Sequence, residues 1–185
     1  MPLGSAEALA LAGMMGSGKS TVALRLGRLL RRPVVSTDAR VEALAGKSVA
    51  RIFAEDGEAA FRALERQVVG ELRGPVVVDL GGGAFCDAGS ASRLLSVARV
   101  VFLDVSAAEA ARRLGAAGPD GARMAARPLA PRWAELRERR LSLYRRAQLT
   151  VETDGLSAEA VARRIHDLVA RGPRPGGADL QGGLG

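Results

Sequence analysis

Cysteine, aromatic residues and long hydrophobic runs are all scarce in this chain of 185 residues. Because Cys86 is the only cysteine, no intramolecular disulfide can form, and a reducing compartment such as the cytoplasm is expected. Aromatic residues make up 3% of the chain, so alanine, leucine and valine have to supply most of the core. No apolar run approaches the roughly 20 residues that a membrane span needs. Residues 1–13 also lack the basic segment of a signal peptide, and we therefore predict a cytoplasmic protein that does not enter a membrane.

Positive charge is in excess, but only in one segment. The ten arginines between Arg112 and Arg146 are accompanied by three acidic residues, which accounts for the whole net charge of +7. Such a segment suits nucleic acid, a small and highly charged anion, or a helix face exposed to water. Almost no aromatic residues lie among these arginines, unlike in a platform on which bases stack. We therefore predict that the chain has no nucleic-acid partner.

Short runs rich in valine and leucine alternate with longer amphipathic stretches along the chain. The runs predict five strands, at residues 7–13, 32–37, 74–80, 98–105 and 148–153. The longer stretches predict helices at residues 19–30, 39–44, 49–72 with an interruption near Asp56, 91–97, 107–114, 132–146 and 157–170. Continuous apolar strands separated by helices are typical of a buried parallel sheet, so we predict an α/β fold with helices on both faces.

The length of the chain predicts a single domain, which we place at residues 1–171. Residues 115–131 within it are rich in glycine, proline and alanine, and a loop of this length in a compact domain is usually functional or disordered. Residues 172–185 are again rich in glycine, and we expect them to form a flexible C-terminal tail.

The clearest motif is GMMGSGKS at residues 13–20, which matches G-x-x-x-x-G-K-[ST] between a predicted strand and a predicted helix. Its glycines let backbone N–H groups point into one concavity, and the helix N-terminus adds a partial positive charge. Lys19 is expected to reach the terminal phosphates and Ser20 to bind Mg²⁺. The motif therefore predicts a nucleoside triphosphate with Mg²⁺ and leaves the phosphate acceptor open. The expected nucleotide-binding residues are Gly13, Gly16, Ser17, Gly18, Lys19, Ser20 and Thr21.

Five further motifs follow in order: TDARVE at 37–42, IFAEDGEAAFRALE at 52–65, GGGAF at 81–85, RPL at 127–129 and RRLSLY at 139–144. With the first motif they make residues 8–170 resemble the shikimate kinases, small P-loop kinases of the nucleoside-monophosphate-kinase type. The resemblance implies a three-layer P-loop fold with a five-stranded parallel sheet and a lid at about residues 115–131. It also implies transfer of the ATP γ-phosphate to the 3-hydroxyl of shikimate, with Mg²⁺, by a monomeric cytoplasmic enzyme of aromatic amino-acid biosynthesis.

The resemblance also implies roles for individual side chains. Asp38 would hold the attacking hydroxyl, and a strong base is not required because phosphoryl transfer depends mainly on positioning and charge stabilisation. Arg62 and Arg140 would bind the carboxylate of shikimate, which suits a planar guanidinium. Arg127, in the lid, would move onto the phosphates. Arg112 is the arginine that we place beside the nucleotide, with Arg113 as the alternative for stacking on the base.

Three glycines in a row need a reason, because glycine is costly to order. The resemblance implies that Gly81, Gly82 and Gly83 form the floor of the shikimate site, where a Cβ would intrude on the ligand. Gly82 would donate its N–H to the substrate, while Gly81 and Gly83 would permit the turn. The alternative is a purely structural turn between a strand and a loop.

Each of the charged side chains also has a plainer interpretation. Arg62 on its own predicts a surface ion pair, and an isolated Asp38 predicts a helix cap. Arg140 belongs to a helix whose other arginines, Arg137, Arg139 and Arg145, are expected to be solvated.

The sequence departs from the family pattern at two strand ends. Most shikimate kinases carry Asp-Thr-Asp where this chain has Ser36-Thr37-Asp38, and the first of those acids supports Mg²⁺. Conversely, Asp79 ends the third predicted strand, and a hydrophobic run that ends in Asp beside a P-loop is typical of Mg²⁺ binding. We therefore predict that Ser20 and Asp79 hold the metal. The alternatives are a P-loop module that binds nucleotide without catalysis, and another small-molecule kinase such as a gluconate kinase.

Overall fold

One sheet of five parallel strands forms the centre of the computed structural model, which describes residues 2–116 and 129–171. The order across the sheet is β2-β3-β1-β4-β5, and every neighbouring pair is parallel. The strand in the middle, β1, is buried along its whole length, which is why its sequence is a continuous apolar run. The predicted parallel α/β fold is confirmed, and all five strands lie within their predicted ranges. The strands are β1 (Ala8–Ala12), β2 (Val34–Ser36), β3 (Val77–Asp79), β4 (Ala98–Asp104) and β5 (Leu149–Glu152).

Helices connect the strands. The described residues contain α1 (Lys19–Leu30), α2 (Thr37–Ala45), α3 (Val49–Glu55), α4 (Gly57–Glu71), α5 (Ala88–Val97), α6 (Ala107–Ala116), α7 (Leu129–Tyr144), α8 (Ala158–Arg171) and a 3₁₀ turn at Ala84–Cys86. None of these helices is long and apolar enough to cross a membrane.

Local capping explains where the helix boundaries differ from the predictions. Helix α2 begins two residues early because the Ser36 side chain accepts a hydrogen bond from the Ala39 N–H at 3.3 Å. Helix α5 begins three residues early because the Asp87 side chain caps the Ser90 N–H at 2.9 Å. The interruption predicted near Asp56 is confirmed, since α3 ends and α4 begins around that residue.

The predicted lid is helical where its ends are described. Residues 115–116 extend α6 and residues 129–131 open α7, so the helices run further into this segment than the sequence predicted. Pro131 is compatible with the first turn of α7, where backbone N–H groups have no partner within the helix. Residues 117–128, which include Arg127, and the predicted tail at 172–185 lie outside the described residues.

The core lies on both faces of the sheet. Leu9 and Leu11 of β1 point toward α1 and α8, and Ala8, Ala10 and Ala12 point toward the opposite face, which α4, α5 and α7 cover. A smaller cluster of Val41, Ile52, Phe61 and Val68 packs α2, α3 and α4 together. The prediction of helices on both faces is therefore confirmed, and the carboxyl ends of β1, β2 and β3 open toward one side of the sheet.

Candidate active site

A cavity of about 1210 Å³ lies at the carboxyl ends of these strands. Most of the predicted site residues line it together, although they come from segments that are far apart in the sequence. They are Gly16, Ser17, Gly18, Lys19, Ser20, Thr21, Asp38, Arg62, Asp79, Gly81, Gly82, Gly83 and Arg140. Gly13 and Arg112 do not line the cavity, and Arg127 lies outside the described residues.

Residues 13–20, called the phosphate loop below, connect β1 to α1. Gly16 shows why this loop needs glycine, because its φ is +82° and a Cβ there would lie 2.9 Å from Cα of Ala110 in α6. Gly18 occupies the N-cap position of α1, again in the left-handed region. The start of α1 therefore adds the positive end of its dipole to the cavity.

Lys19 is half-buried at the first position of α1. Its Nζ donates hydrogen bonds to the carbonyl oxygens of Gly13 at 3.0 Å and Met14 at 3.1 Å. Burial lowers the pKa of Lys19, while the nearby carboxylates of Asp79 and Asp38 oppose that change. The ammonium group is thus held inside the phosphate loop, between backbone carbonyls and two acids.

Asp38 lies in the first turn of α2 and faces the cavity. Ser36 caps this helix, so the interpretation of Asp38 as the helix cap is wrong. Burial raises the pKa of Asp38, and the charge of Asp79 raises it further, while Lys19 lowers it. The carboxyl group is therefore a better proton acceptor than an exposed aspartate.

Arg62 on α4 is held by two acids of its own helix. Its Nη1 lies 2.6 Å from Oε2 of Glu65, and its Nη2 lies 3.1 Å from Oε1 of Glu58. Glu58 is 67% exposed, so its pair with Arg62 is the surface ion pair that the sequence predicted, whereas Glu65 is 1% exposed and forms a second, buried pair. Burial raises the pKa of Glu65, while Arg62 opposes that shift. Sequence reasoning missed Glu65, although its spacing of three residues from Arg62 was a possible signal.

Charged side chains occupy the space beside two glycines of the triplet at residues 81–83. Neither Gly81 nor Gly83 has a positive φ, so the turn itself does not depend on glycine. A Cβ on Gly81 would instead overlap Oδ1 of Asp38, and a Cβ on Gly83 would lie 2.5 Å from both Nη atoms of Arg62. The absence of these two Cβ atoms leaves room for the two charged side chains.

Helix α7 reaches the middle glycine of the triplet. Nη1 of Arg140 donates to the Gly82 carbonyl oxygen at 3.0 Å, and the buried Tyr144 hydroxyl donates to the same oxygen at 2.5 Å. Arg137 is not simply solvated, as the sequence predicted, because its Nη2 lies 2.7 Å from Oδ1 of Asp104 at the end of β4. Arg139 and Arg145 are exposed, as expected.

Two neighbouring arginines of α6 are placed very differently. The Arg112 side chain is 67% exposed and pairs with Glu109, whose pKa is lowered to about 2 by hydrogen bonds to Arg112 and Arg113. The Arg113 side chain is 19% exposed and donates to the carbonyl oxygen of Ser17 at 3.1 Å and to Oγ1 of Thr153 at 3.1 Å. Since Arg113 lines the cavity, the structure favours it over Arg112 as the arginine beside a nucleotide.

Ser36 and Asp79 are direct neighbours across β2 and β3. Both residues line the same cavity as Ser20, but the Ser36 hydroxyl also accepts the hydrogen bond that caps α2. No group of three or more histidine, cysteine or acidic residues suited to a metal occurs among the described residues. A hydroxyl and one carboxylate fit Mg²⁺, which takes oxygen ligands and usually completes its shell with phosphates and water.

Comparison with known proteins identifies similar chains. A family model described as "Shikimate kinase" matches residues 15–170. A shikimate kinase from Limosilactobacillus fermentum is 43% identical over 162 residues, which is 85% of this chain and 92% of that protein. One from Thermobifida fusca is 45% identical over 160 residues, covering 84% of this chain and 90% of that protein. A solved shikimate kinase from Acinetobacter baumannii, in complex with shikimate, superposes with a TM-score of 0.77 at 29% identity and covers 88% of this chain and 92% of its own.

Proposed function

This chain belongs to the shikimate kinase family, and from that premise we propose which of its residues perform the reaction. The reaction transfers the γ-phosphate of ATP to the 3-hydroxyl of shikimate. The observation that carries the proposal is a single cavity in which the phosphate loop faces Asp38, Arg62 and Arg140. Donor and acceptor groups can therefore meet in one space.

The phosphate loop binds the nucleotide in this proposal. Backbone N–H groups at the start of α1 bind the phosphates, and Lys19 leaves its carbonyl partners to stabilise the negative charge of the transferred group. Arg113 lies beside the rest of the nucleotide, because its side chain is fixed between the phosphate loop and Thr153. Arg127 would add a further positive charge, which follows from the family resemblance alone.

The arginines on the other side of the cavity bind the carboxylate of shikimate. A planar guanidinium forms paired hydrogen bonds with a carboxylate, and both arginines are already oriented by partners. Glu65 orients Arg62, and the Gly82 carbonyl oxygen orients Arg140. The Gly82 N–H is proposed to donate to the ring substituents, since a Cβ at Gly82 would meet nothing closer than Nη1 of Arg140 at 3.9 Å.

Asp38 receives the proton of the attacking hydroxyl. The hydroxyl oxygen forms a bond to the γ-phosphorus, the bond between that phosphorus and the oxygen bridging to ADP breaks, and the proton moves to the Asp38 carboxylate. The raised pKa of Asp38 makes it a stronger proton acceptor than an exposed aspartate. The same carboxylate positions the hydroxyl for attack.

Ser20 and Asp79 are proposed to hold Mg²⁺. A bound Mg²⁺ would supply positive charge that offsets the charge of the phosphates. Asp79 provides the carboxylate that Ser36 lacks, at the neighbouring strand end. The variant Asp79→Asn is expected to weaken Mg²⁺-dependent binding of ADP in calorimetry and to raise the Mg²⁺ concentration needed for half-maximal turnover.

A swapped variant, Ser36→Asp with Asp79→Ser, provides the matched control. It returns a carboxylate to the other strand end and is expected to restore much of the Mg²⁺ dependence. If Asp79→Asn leaves both the calorimetric titration and the Mg²⁺ requirement unchanged, Asp79 does not contribute to metal binding.

The chain is further proposed to act as a single kinase domain, as a monomer in the cytoplasm, and without a nucleic-acid partner. The placement of the positive charge supports the absence of a nucleic-acid partner. The described arginines of α6 and α7 that are not exposed point to carbonyl oxygens, acids or the cavity. Sedimentation of the purified chain at several concentrations would test the monomer, and a second boundary that grows with concentration would contradict it.

The release of ADP from Mg²⁺-ATP, measured with a panel of acceptors, tests the activity. We expect shikimate to accelerate ADP release and to be converted to shikimate 3-phosphate. Gluconate and nucleoside monophosphates are expected to have no such effect. Tight ATP binding without acceleration by any acceptor would instead identify a silent nucleotide-binding module.

A further inference from the structure

The only tryptophan of the chain, Trp133, connects α7 to the phosphate loop. Its indole Nε1 donates a hydrogen bond to the Met15 carbonyl oxygen at 3.1 Å, although the two residues are 118 positions apart. The side chain is 5% exposed and packs in the core cluster that also contains Met14 and Ala110. A buried indole N–H needs an acceptor, and here that acceptor belongs to the phosphate loop.

The Met15 carbonyl oxygen belongs to the same peptide unit as the Gly16 N–H. In a planar trans peptide the carbonyl and the following N–H point in opposite directions. A donor that holds the Met15 oxygen therefore also sets the direction of the Gly16 N–H. Gly16 lines the cavity with the left-handed backbone described above. Phosphate recognition by such loops depends on the direction of their N–H groups.

We propose that Trp133 is a positioning residue of the phosphate loop, which orients the Met15–Gly16 peptide for the phosphates of the nucleotide. This proposal rests on one part of the proposed function, namely that ATP or ADP binds the phosphate loop. Trp133 acts through the backbone and does not itself touch the substrate.

Tyr144, at the other end of α7, provides a matched comparison. Its hydroxyl donates to the Gly82 carbonyl oxygen, so the same helix holds the phosphate loop by one ring and the glycine triplet by another. If both rings were only core residues, their polar groups would not affect one substrate more than the other. The variants Trp133→Phe and Tyr144→Phe keep an aromatic ring and remove one donor each.

Steady-state kinetics with each substrate varied separately tests the proposal. Loss of one hydrogen bond predicts that Trp133→Phe raises the KM for ATP about three- to tenfold while leaving the KM for shikimate unchanged. Tyr144→Phe is expected to affect the KM for shikimate more than that for ATP. Equal changes in both KM values for Trp133→Phe, or a lower melting temperature with unchanged KM values, would overturn the proposal.

A second measurement uses the unmodified protein and requires no turnover. Because there is one tryptophan, a ¹⁵N-labelled sample shows a single indole N–H resonance. It is expected to exchange slowly with solvent and to shift on addition of ADP, but not on addition of shikimate alone. A rapidly exchanging resonance, or one that does not respond to ADP, would overturn the proposal even if the kinase activity is confirmed. Absence of shikimate-dependent turnover with an ADP-sensitive resonance would overturn the acceptor assignment and leave the role of Trp133 supported.

Discussion

The two halves of the cavity are built in contrasting ways. The half proposed for the nucleotide is centred on one continuous segment, the phosphate loop, with Arg113 of α6 beside it. The acceptor half takes its side chains from α2, α4 and α7 and its floor from the glycine triplet. The geometry of a continuous loop is determined mostly by its own glycines. The geometry of a site assembled from several elements depends on how those elements pack.

The contrast extends to how charge is held. In the nucleotide half, Lys19 is held by carbonyl oxygens of its own loop. In the acceptor half, Arg62 depends on the buried Glu65 and on the missing Cβ of Gly83, and Asp38 depends on the missing Cβ of Gly81. The acceptor half should therefore be sensitive to small changes in the residues that orient Arg62 and Asp38, as well as to changes in those two side chains.

The largest expected effect is in the nucleotide half. Lys19→Met removes the charge that stabilises the transferred phosphate but retains an unbranched side chain, so kcat should fall by about 10²–10³-fold. The melting temperature should change little, because Lys19 bonds only to loop carbonyls. Stopped assays of shikimate 3-phosphate measure the loss, and a variant with normal kcat would remove Lys19 from the mechanism.

The next effect separates the acceptor half from the nucleotide half. Arg62→Ala should raise the KM for shikimate roughly 10- to 100-fold, the range expected for charge-assisted hydrogen bonds, without changing the KM for ATP. Arg66→Ala is the matched control, because Arg66 lies one turn along α4, is exposed and pairs with Asp87. A similar rise in both variants would show that the helix surface, and not Arg62, governs acceptor binding.

A smaller effect tests the dependence on a missing Cβ. Gly81→Ala places a methyl group against Asp38, so displacement of this carboxylate should lower kcat about tenfold. Gly70→Ala in α4, where no atom lies within 4 Å of the added Cβ, should instead stabilise the fold by about 0.5–1 kcal/mol. Thermal melts and kcat of the two variants provide the measurement. Normal kcat in Gly81→Ala would mean that Asp38 tolerates the shift.

The smallest expected effect is a change in pH dependence. Protonated Asp38 cannot accept the hydroxyl proton, so activity should fall as the pH drops through its raised pKa. Because the charge of Asp79 contributes to raising that pKa, Asp79→Asn should move the titration of the Asp38 carboxyl to lower pH in the Mg²⁺-free protein, measured by NMR. A titration that moves to higher pH would contradict the electrostatic interaction between these two carboxyl groups.

The structure confirms those predictions that depended on neighbours in sequence. All five strands, the break near Asp56 and the glycine–lysine motif between β1 and α1 follow from hydrophobic periodicity and local turn chemistry. The boundaries that moved, at α2 and α5, were set by capping side chains whose hydrogen bonds the periodicity does not reveal.

Several side-chain contacts were not predicted from the sequence. Hydrophobic periodicity does not show that Glu65 is buried beside Arg62, that Arg113 and not Arg112 lines the cavity, or that Trp133 donates to Met15. For the glycine triplet, the sequence did not predict that the Asp38 and Arg62 side chains lie where Cβ atoms of Gly81 and Gly83 would be.

Amino-acid order alone was sufficient for the class of fold, the nucleotide loop and the family, because those follow from short-range periodicity and from contiguous motifs. The orientation of the acceptor side chains required the folded chain. A carboxylate or guanidinium is positioned by whichever side chains, carbonyl oxygens and missing Cβ atoms the packing of separate helices and strands brings within a few ångströms.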